Sequence, residues 1–247
     1  MEVGAMDAKT IRVLLCMDVG SLYSWICLVL LLRYKERWSL KLHVMPVLLG
    51  AVHKLTGNAM PSLVPARGRW LGVDMERNAK FMGIPYKGIP SSFGSASFNS
   101  MYCQRLLTAV ALAKGYDSDD LFKLCVSLFE SIWGVDAKHE VDIMSKNFLF
   151  LGCSKAGLTK EVTEGYIQMS SQETVKQLLK ENTALAVKHG AFGTPTMFVR
   201  TKSAGMSNSL EQIGDQDLMF FGSDRFEQLA FMLGKPWNGP FPSNSKL

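Results

Sequence analysis

The most informative absence in this 247-residue chain is a pair of cysteines at Cys-x-x-Cys spacing. The five cysteines are spread along the chain at Cys16, Cys27, Cys103, Cys125 and Cys153. Without a closely spaced pair, the pattern offers neither a dithiol redox site nor the disulfide framework of a small secreted domain. Four of the five lie among apolar residues, so we expect buried free thiols that serve as small core residues in a reducing compartment.

Metal-ligand patterns and clustered charge are also missing. The four histidines show no metal-ligand spacing, so we expect no metal site. The net charge is only +5, and no block of lysine and arginine is interleaved with aromatic residues. This balance argues against nucleic-acid binding. A chain with 47% hydrophobic and 20% charged residues has the composition of an ordinary globular protein.

Residues 13–32 carry a single charge, at Asp18, and are long enough to cross a bilayer. The carboxylate falls near the middle of that segment, next to Gly20 and Ser21, where it would be costly in lipid. A strand, a turn and a buried helix explain the segment better, and we expect no membrane span. The mixed charges at the start of the chain do not resemble a secretory signal peptide.

The hydrophobic pattern predicts an α/β chain. The predicted order is a strand at 13–17, a helix at 24–37 and a strand at 40–46, then helices with polar joints to about residue 170, a helix to 189, strands at 196–200 and 218–221, and a helix from about 224. The first three elements form a β-α-β unit, whose strands should be parallel. Ser118 is a candidate N-cap, and Ser170 with Glu173 is a candidate capping box.

Ser21-Leu22-Tyr23-Ser24 stands between the first predicted strand and the first predicted helix. In thioredoxin-like redox proteins this helix N-terminus carries Cys-x-x-Cys, because the helix end stabilises a thiolate. Here serines stand at both sulfur positions and cannot form a disulfide. A serine hydroxyl can still donate a hydrogen bond to a thiolate brought in by a ligand. The motif therefore points away from dithiol redox chemistry and towards activation of another molecule's thiol.

Two later motifs carry further chemistry. Gly190-Ala-Phe-Gly-Thr-Pro195 puts a proline at the start of a strand, directly after a glycine-containing turn, which predicts a cis Thr194–Pro195 bond. The backbone of the residue before such a proline can pair with a peptide-like ligand as an added strand. In Phe221-Gly-Ser-Asp-Arg225, Ser223 or Asp224 can N-cap the last helix, bind the zwitterionic end of an amino acid, or do both.

Four motifs occur in a fixed order: Asp18-Val-Gly-Ser-Leu-Tyr-Ser-Trp25, Gly57-Asn-Ala-Met-Pro61, Gly190-Ala-Phe-Gly-Thr-Pro195 and Phe221-Gly-Ser-Asp-Arg225. Together they resemble the kappa class of glutathione S-transferases, relatives of the bacterial 2-hydroxychromene-2-carboxylate isomerases. The resemblance covers residues 11–242. It implies a DsbA-like topology, in which a thioredoxin-like domain (9–50 and 176–235) is interrupted by a large helical insertion (51–175) and followed by a C-terminal tail (236–247).

The same resemblance implies a detoxifying homodimeric transferase that uses glutathione as a substrate and needs no cofactor. Ser21 matches the catalytic serine, whose hydroxyl would stabilise the glutathione thiolate for attack on an electrophile or a peroxide. The positions that match the glutathione site are Ser21, Leu22, Tyr23, Asn58, Pro65, Thr194, Ser223 and Asp224. The Thr194 backbone would pair with the cysteinyl unit, and Ser223 and Asp224 would hold the γ-glutamyl end, across the dimer interface.

Two other functions remain open at this point: a glutathione-dependent isomerase, and a non-catalytic glutathione-binding or chaperone-like peroxisomal protein. The chain departs from the family pattern at Leu22, where proline is usual, and in a longer connection at 201–217. Arg67 stands near a family lysine, and Ala66 occupies a position that is often basic.

The sequence ends in Ser245-Lys246-Leu247, a C-terminal address that the peroxisomal import receptor reads. It follows a polar segment at 238–244 that we expect to be a loose tail. Peroxisomes are the expected location, and mitochondria are a second one, since kappa-class enzymes occur in both.

Overall fold

A four-stranded sheet joins the first and last parts of the chain. The computed structural model describes residues 11–137, 142–200, 213 and 217–242. β1 (Ile11–Met17) pairs in parallel with β2 (Leu40–Pro46) and antiparallel with β3 (Thr196–Arg200). β4 (Leu218–Phe221) pairs antiparallel with β3, so the strand order is β2-β1-β3-β4. The predicted strands and the parallel β-α-β unit are confirmed, although β1 begins two residues earlier than expected.

The helices follow the predicted order as well. They are α1 (Leu22–Tyr34), α2 (Leu49–Thr56), α3 (Pro65–Met82), α4 (Met101–Lys114), α5 (Asp119–Trp133), α6 (Lys146–Lys155), α7 (Lys160–Ser170), α8 (Glu173–Lys188) and α9 (Phe226–Leu233), with a 3₁₀ turn at Pro61–Leu63. The chain thus runs β-α-β, then through a series of helices, then α-β-β-α. Most of the connection at 201–217 and the last five residues lie outside the described residues.

α1 is buried on nearly every side, which explains the long apolar segment in the sequence. It contacts both α3 and α5, and Trp25 stacks on Phe129 with ring centroids 6.2 Å apart. A helix that is apolar all round belongs either in a protein core or in a membrane. Within the described ranges, no helix is long and apolar enough to cross a bilayer. The apolar segment therefore supplies the centre of the core.

Side-chain hydrogen bonds determine where several helices begin, and one of the two predicted helix caps is absent. α6 begins at Lys146, because the Ser145 hydroxyl accepts a hydrogen bond from the Phe148 N–H at 3.1 Å. The capping box predicted for α8 is wrong, because the Ser170 hydroxyl instead donates to the Ile167 carbonyl at 2.7 Å, within α7. Ser118 does cap α5, accepting from the Leu121 N–H at 3.4 Å.

The segment after α9 is not a loose tail as far as residue 242. The Tyr34 hydroxyl donates to the Gly239 carbonyl at 2.7 Å and accepts from the Asn238 N–H at 3.0 Å. The Trp38 indole donates to the Pro236 carbonyl at 3.1 Å. These bonds attach residues 236–242 to the end of α1, which corrects the sequence-based expectation for residues 238–242.

Gln104, on α4, links the strand ends to the helices. Its side chain is fully buried, and its amide nitrogen donates to the Met17 and Val47 carbonyls, both at 2.8 Å. Its amide oxygen accepts from the Val19 N–H at 3.3 Å. Gln104 thus pairs the Val19 N–H and the Val47 carbonyl, and it gives a second bond to the Met17 carbonyl, which also accepts from the Val47 N–H at 3.1 Å.

Replacing Gln104 with Ala should destabilise the fold by about 2–4 kcal/mol, because each buried polar group left without a partner costs about 1–3 kcal/mol. Denaturant unfolding monitored by tryptophan fluorescence measures the change. The matched control is Gln177→Ala, since the exposed Gln177 bonds only Glu181, and it should lie within about 0.5 kcal/mol of the unmodified protein. Equal effects of the two substitutions would contradict this role for Gln104.

Candidate functional site

Ser21 is the N-cap of α1. Its backbone is extended (φ −116°, ψ 113°), and its hydroxyl oxygen accepts from the Ser24 N–H at 3.3 Å. The N-terminus of a helix carries a partial positive charge and stabilises negative charge placed beside it. The Ser21 hydroxyl therefore lies at the end of the first helix that favours an anion, as the sequence predicts.

Two segments 173 residues apart meet at this hydroxyl, since Ser21 Oγ donates to the Thr194 carbonyl oxygen at 3.3 Å. The Thr194–Pro195 bond is cis, as predicted. Both Ser21 and Thr194 are largely buried, with 7% and 8% of their surface exposed. The structure thus brings the serine motif and the proline motif to one place.

Asn58, at the end of α2, contacts the turn that precedes Pro195. It follows Gly57, which has φ 73° and ends the helix in the left-handed conformation. The Asn58 amide nitrogen donates to the Phe192 carbonyl at 2.7 Å. The ring of Phe192 lies 4.3 Å, centroid to centroid, from that of Phe221. The Gly57 motif and the Phe221 motif therefore both adjoin the turn before Pro195.

The segment that contains Ser223 and Asp224 is attached to the cis proline. The Gly222 N–H donates to the Pro195 carbonyl at 3.0 Å. Gly222 has φ 92°, a left-handed backbone conformation that favours glycine. Ser223 is buried, whereas Asp224 is exposed and pairs with Arg225.

The helix-capping role considered for Ser223 and Asp224 is wrong. α9 begins at Phe226, and its N-cap is Arg225, with no capping side chain. Both residues therefore lie before the helix and are not engaged in starting it. Of the two roles considered, contact with a ligand is the one that this geometry leaves open.

Tyr23 connects the site to α3. Its hydroxyl donates to Asp74 Oδ2 at 2.5 Å. Burial and, next, this hydrogen bond raise the pKa of Tyr23 far above its usual range, and Asp224 adds to the rise. Tyr23 is therefore a neutral hydrogen-bond donor at physiological pH. Asp74 was missed by sequence reasoning, because nothing in the local pattern of α3 marks it as a partner of α1.

The remaining predicted residues differ in access. Leu22 is the first residue of α1 and its side chain is fully buried, so only its backbone can face a ligand. Pro65 is the first residue of α3 and is exposed, as is Arg67 two positions later. With Ser21 as N-cap, α1 begins at Leu22 without the family's proline.

The chain's own thiols are buried in the core and protonated. All five cysteines are free and buried. Burial raises the pKa of Cys153 to about 11 and that of the other four further still. No cysteine of the chain is therefore an ionised nucleophile at neutral pH.

Across the described residues, no group of three His, Cys, Asp or Glu side chains is arranged to hold a metal ion.

Comparison with known proteins gives one consistent family. Residues 12–234 match the model of the DSBA-like thioredoxin domain. The chain is 32% identical over 226 residues to glutathione S-transferase kappa 1 of Rattus norvegicus, covering 91% of this chain and 92% of that protein. It is also 32% identical over 227 residues to glutathione S-transferase kappa 1 of Homo sapiens, with the same coverage. A solved structure of 2-hydroxychromene-2-carboxylate isomerase has a similar fold, with a TM-score of 0.68 and 20% identity over 90% of this chain and 94% of that one.

The burial of the thiols predicts slow reaction with thiol reagents in the folded state. Because the thiol pKa values are raised, the reactive thiolate is scarce at pH 7–8. Addition of 5,5′-dithiobis(2-nitrobenzoate) should label fewer than one thiol per chain within minutes, and all five after denaturation. Rapid labelling of one native thiol per chain would contradict the assignment of all five cysteines to the core.

Proposed function

The chain belongs to the DsbA-like thioredoxin-domain family and to the kappa class of glutathione S-transferases, and we propose that it transfers glutathione to small electrophiles with Ser21 as the catalytic residue. The observation that carries this proposal is the contact between the Ser21 hydroxyl and the Thr194 carbonyl beside the cis proline. It places a hydroxyl donor, a helix N-terminus and the backbone carbonyl before the cis proline at one point.

In this proposal the Ser21 hydroxyl changes its acceptor when glutathione binds. In the structure it donates to the Thr194 carbonyl. Rotation about the Cβ–Oγ bond turns the proton to the glutathione sulfur without moving the helix. The Thr194 carbonyl then becomes free to accept from the cysteinyl N–H of the ligand, as in an added strand.

The chemical step follows from a stabilised thiolate. The thiol proton leaves to solvent, and the Ser21 hydrogen bond and the helix N-terminus favour the negative sulfur. An electron pair of the sulfur attacks the electrophilic carbon and forms the C–S bond. The leaving group departs with the bonding electrons. With a peroxide, which is the oxidant, the thiolate attacks one oxygen atom and forms an S–O bond as the O–O bond breaks. The departing alkoxide takes a proton from solvent, and the sulfenic acid of glutathione reacts with a second glutathione thiol to give glutathione disulfide and water.

The other proposed contacts bind different parts of the glutathione molecule. The exposed Asp224 carboxylate suits the ligand's ammonium group, and the buried Ser223 lies beside it. Tyr23, bonded to α3, and Asn58, bonded to the Phe192 carbonyl, are proposed to line the same site. Pro65 lies at the exposed start of α3, and Leu22 would contribute only its backbone. A homodimer, with the γ-glutamyl end held between subunits, completes the proposal on the strength of the family pattern.

The proposed location is the peroxisome, with mitochondria as a second destination. The supporting feature is the sequence Ser245-Lys246-Leu247. Residues 236–242 are attached to α1, and five residues follow Pro242 in the sequence. The import receptor would be the partner for this signal, and detoxification of electrophiles would be the role at that location.

Replacing Ser21 with Ala should raise the pKa of bound glutathione by about one to two units. A hydrogen bond to a charged group contributes about 1.5–3 kcal/mol, and one pKa unit corresponds to about 1.36 kcal/mol. Ultraviolet absorbance of the thiolate, titrated with pH in the complex, measures the change. Conjugation of an aryl halide at neutral pH should slow in proportion to the lost thiolate.

Ser24→Ala is the matched control for this experiment, because Ser24 is a buried hydroxyl one helical turn away. It should leave the thiol pKa unchanged. An unaltered pKa in Ser21→Ala would refute the assigned role of Ser21. Turnover of a chromene carboxylate without turnover of aryl halides would support the isomerase, and tight glutathione binding without turnover of either would support the non-catalytic protein.

Removing Ser245-Lys246-Leu247 should abolish peroxisomal import, because the receptor reads this tripeptide only at a free carboxyl end. The measurement is the location of an amino-terminal fluorescent fusion, compared with a peroxisomal marker, for the chain with and without the three residues. An additional glycine after Leu247 is the control, since it leaves the tripeptide intact but no longer terminal. Unchanged peroxisomal location in both variants would show that the tripeptide is not the signal.

A further inference from the structure

Asp18 is a carboxylate with no exposed surface, three residues before Ser21. One oxygen accepts from the Gly20 N–H at 2.8 Å, and the other accepts from the Leu49 N–H at 2.8 Å and the Ser100 hydroxyl at 2.9 Å. Burial raises the pKa of Asp18, and these three bonds oppose the rise. A buried carboxylate is costly unless it is well bonded, so its presence here calls for an explanation.

The three donors come from three different parts of the chain. Gly20 belongs to the turn that carries Ser21. Leu49 is the first residue of α2, whose N-cap has no capping side chain, so the Asp18 carboxylate caps that helix from the turn after β1. Ser100 is the N-cap of α4, but its hydroxyl bonds Asp18 rather than its own helix. One carboxylate therefore connects the serine turn with the starts of two helices, α2 and α4.

The turn is also held on its other sides. A Cβ on Gly20 would lie 3.2 Å from an Asp18 oxygen and 3.7 Å from the Ser100 Cβ, so the backbone fits closely against the helical part. The carbonyl of Val19 accepts from the Trp133 indole at 2.8 Å. By contrast, the Ser21 hydroxyl reaches the Thr194 side through one bond of 3.3 Å. The position of Ser21 is thus set mainly by the helices.

We propose that Asp18 and Ser100 are positioning residues for the transferase reaction: their hydrogen bond fixes the Ser21 turn against the helical part, so that the Ser21 hydroxyl meets the ligand's sulfur at hydrogen-bond distance. This inference rests on the proposed function. A donor that is already held in place stabilises developing charge without reorganising, and small displacements reduce the effect. Asp18 itself does not touch the substrate.

The direction of the effect separates positioning from simple electrostatics. A negative carboxylate near a thiolate raises the thiol pKa, so removing the charge would lower that pKa if the field of Asp18 were its main influence. Loosening the turn has the opposite effect, because Ser21 then bonds the sulfur less well. Asp18→Asn keeps the shape of the side chain but replaces one accepting oxygen with an NH₂ group, which cannot accept a hydrogen bond. At least one of the three hydrogen bonds is then lost and the turn is held less firmly.

The test measures the pKa of glutathione bound to the purified full-length protein, again by thiolate absorbance. We expect Asp18→Asn to raise that pKa by about one unit, roughly a tenfold loss of thiolate below the pKa. Ser100→Ala should give a smaller rise, since the bonds from Gly20 and Leu49 remain. The matched control is Ser127→Ala, because Ser127 is equally buried and its hydroxyl bonds only the Gly152 carbonyl between α5 and α6.

A folded Asp18→Asn protein with an unchanged or lowered thiol pKa overturns the inference. If that variant does not fold, Ser100→Ala decides, and a pKa equal to that of Ser127→Ala overturns it. Unmodified protein that fails to lower the pKa of bound glutathione relative to free glutathione overturns the proposed function itself. A normal result for the unmodified protein with no effect in Asp18→Asn overturns only the positioning role.

Discussion

The buried backbone polar groups of the turn between β1 and α1 are hydrogen-bonded by side chains from helices far away in the sequence. Gln104 pairs with the carbonyl of Met17 and the N–H of Val19, and Trp133 pairs with the carbonyl of Val19. Without these partners, the end of the central strand would bury unpaired groups at considerable cost. The sheet, the start of α1 and the helical insertion are therefore a single cooperative arrangement, and Ser21 lies where the three meet.

The strands could be predicted closely from the sequence, whereas the helix ends could be predicted only in part, as at Ser118. Residues 40–46, 196–200 and 218–221 are apolar segments bounded by proline, glycine or polar residues, and both signals are local. A helix end depends on where one hydroxyl points. Ser170 could cap the following helix or bond within its own, and only packing around α7 selects the second. The attachment of residues 236–242 likewise depends on Tyr34, about two hundred positions earlier.

The same distinction applies to the candidate site. The serine motif at 21–24 and the proline motif at 190–195 are each visible in the sequence, and the resemblance predicted that they converge. Asp74 could not be predicted, because a carboxylate on a polar helix looks like any solvated side chain until Tyr23 is placed beside it. Ser223 and Asp224 were found by their motif, but their position before α9 required the structure.

All the cysteine thiols of the chain lie in the core, whereas the N-terminus of α1 carries serines. Each of the five cysteines is buried, and burial favours the protonated thiol. The chain therefore presents no thiolate of its own at the N-terminus of α1. A cysteine there would attack the disulfide form of the ligand and form a mixed disulfide, with release of the other half as a thiolate, whereas a hydroxyl can only donate a hydrogen bond to the ligand's sulfur. In the proposed mechanism, a thioredoxin-like helix end with serines in place of cysteines keeps the anion-stabilising helix N-terminus and leaves the reactive sulfur to the substrate.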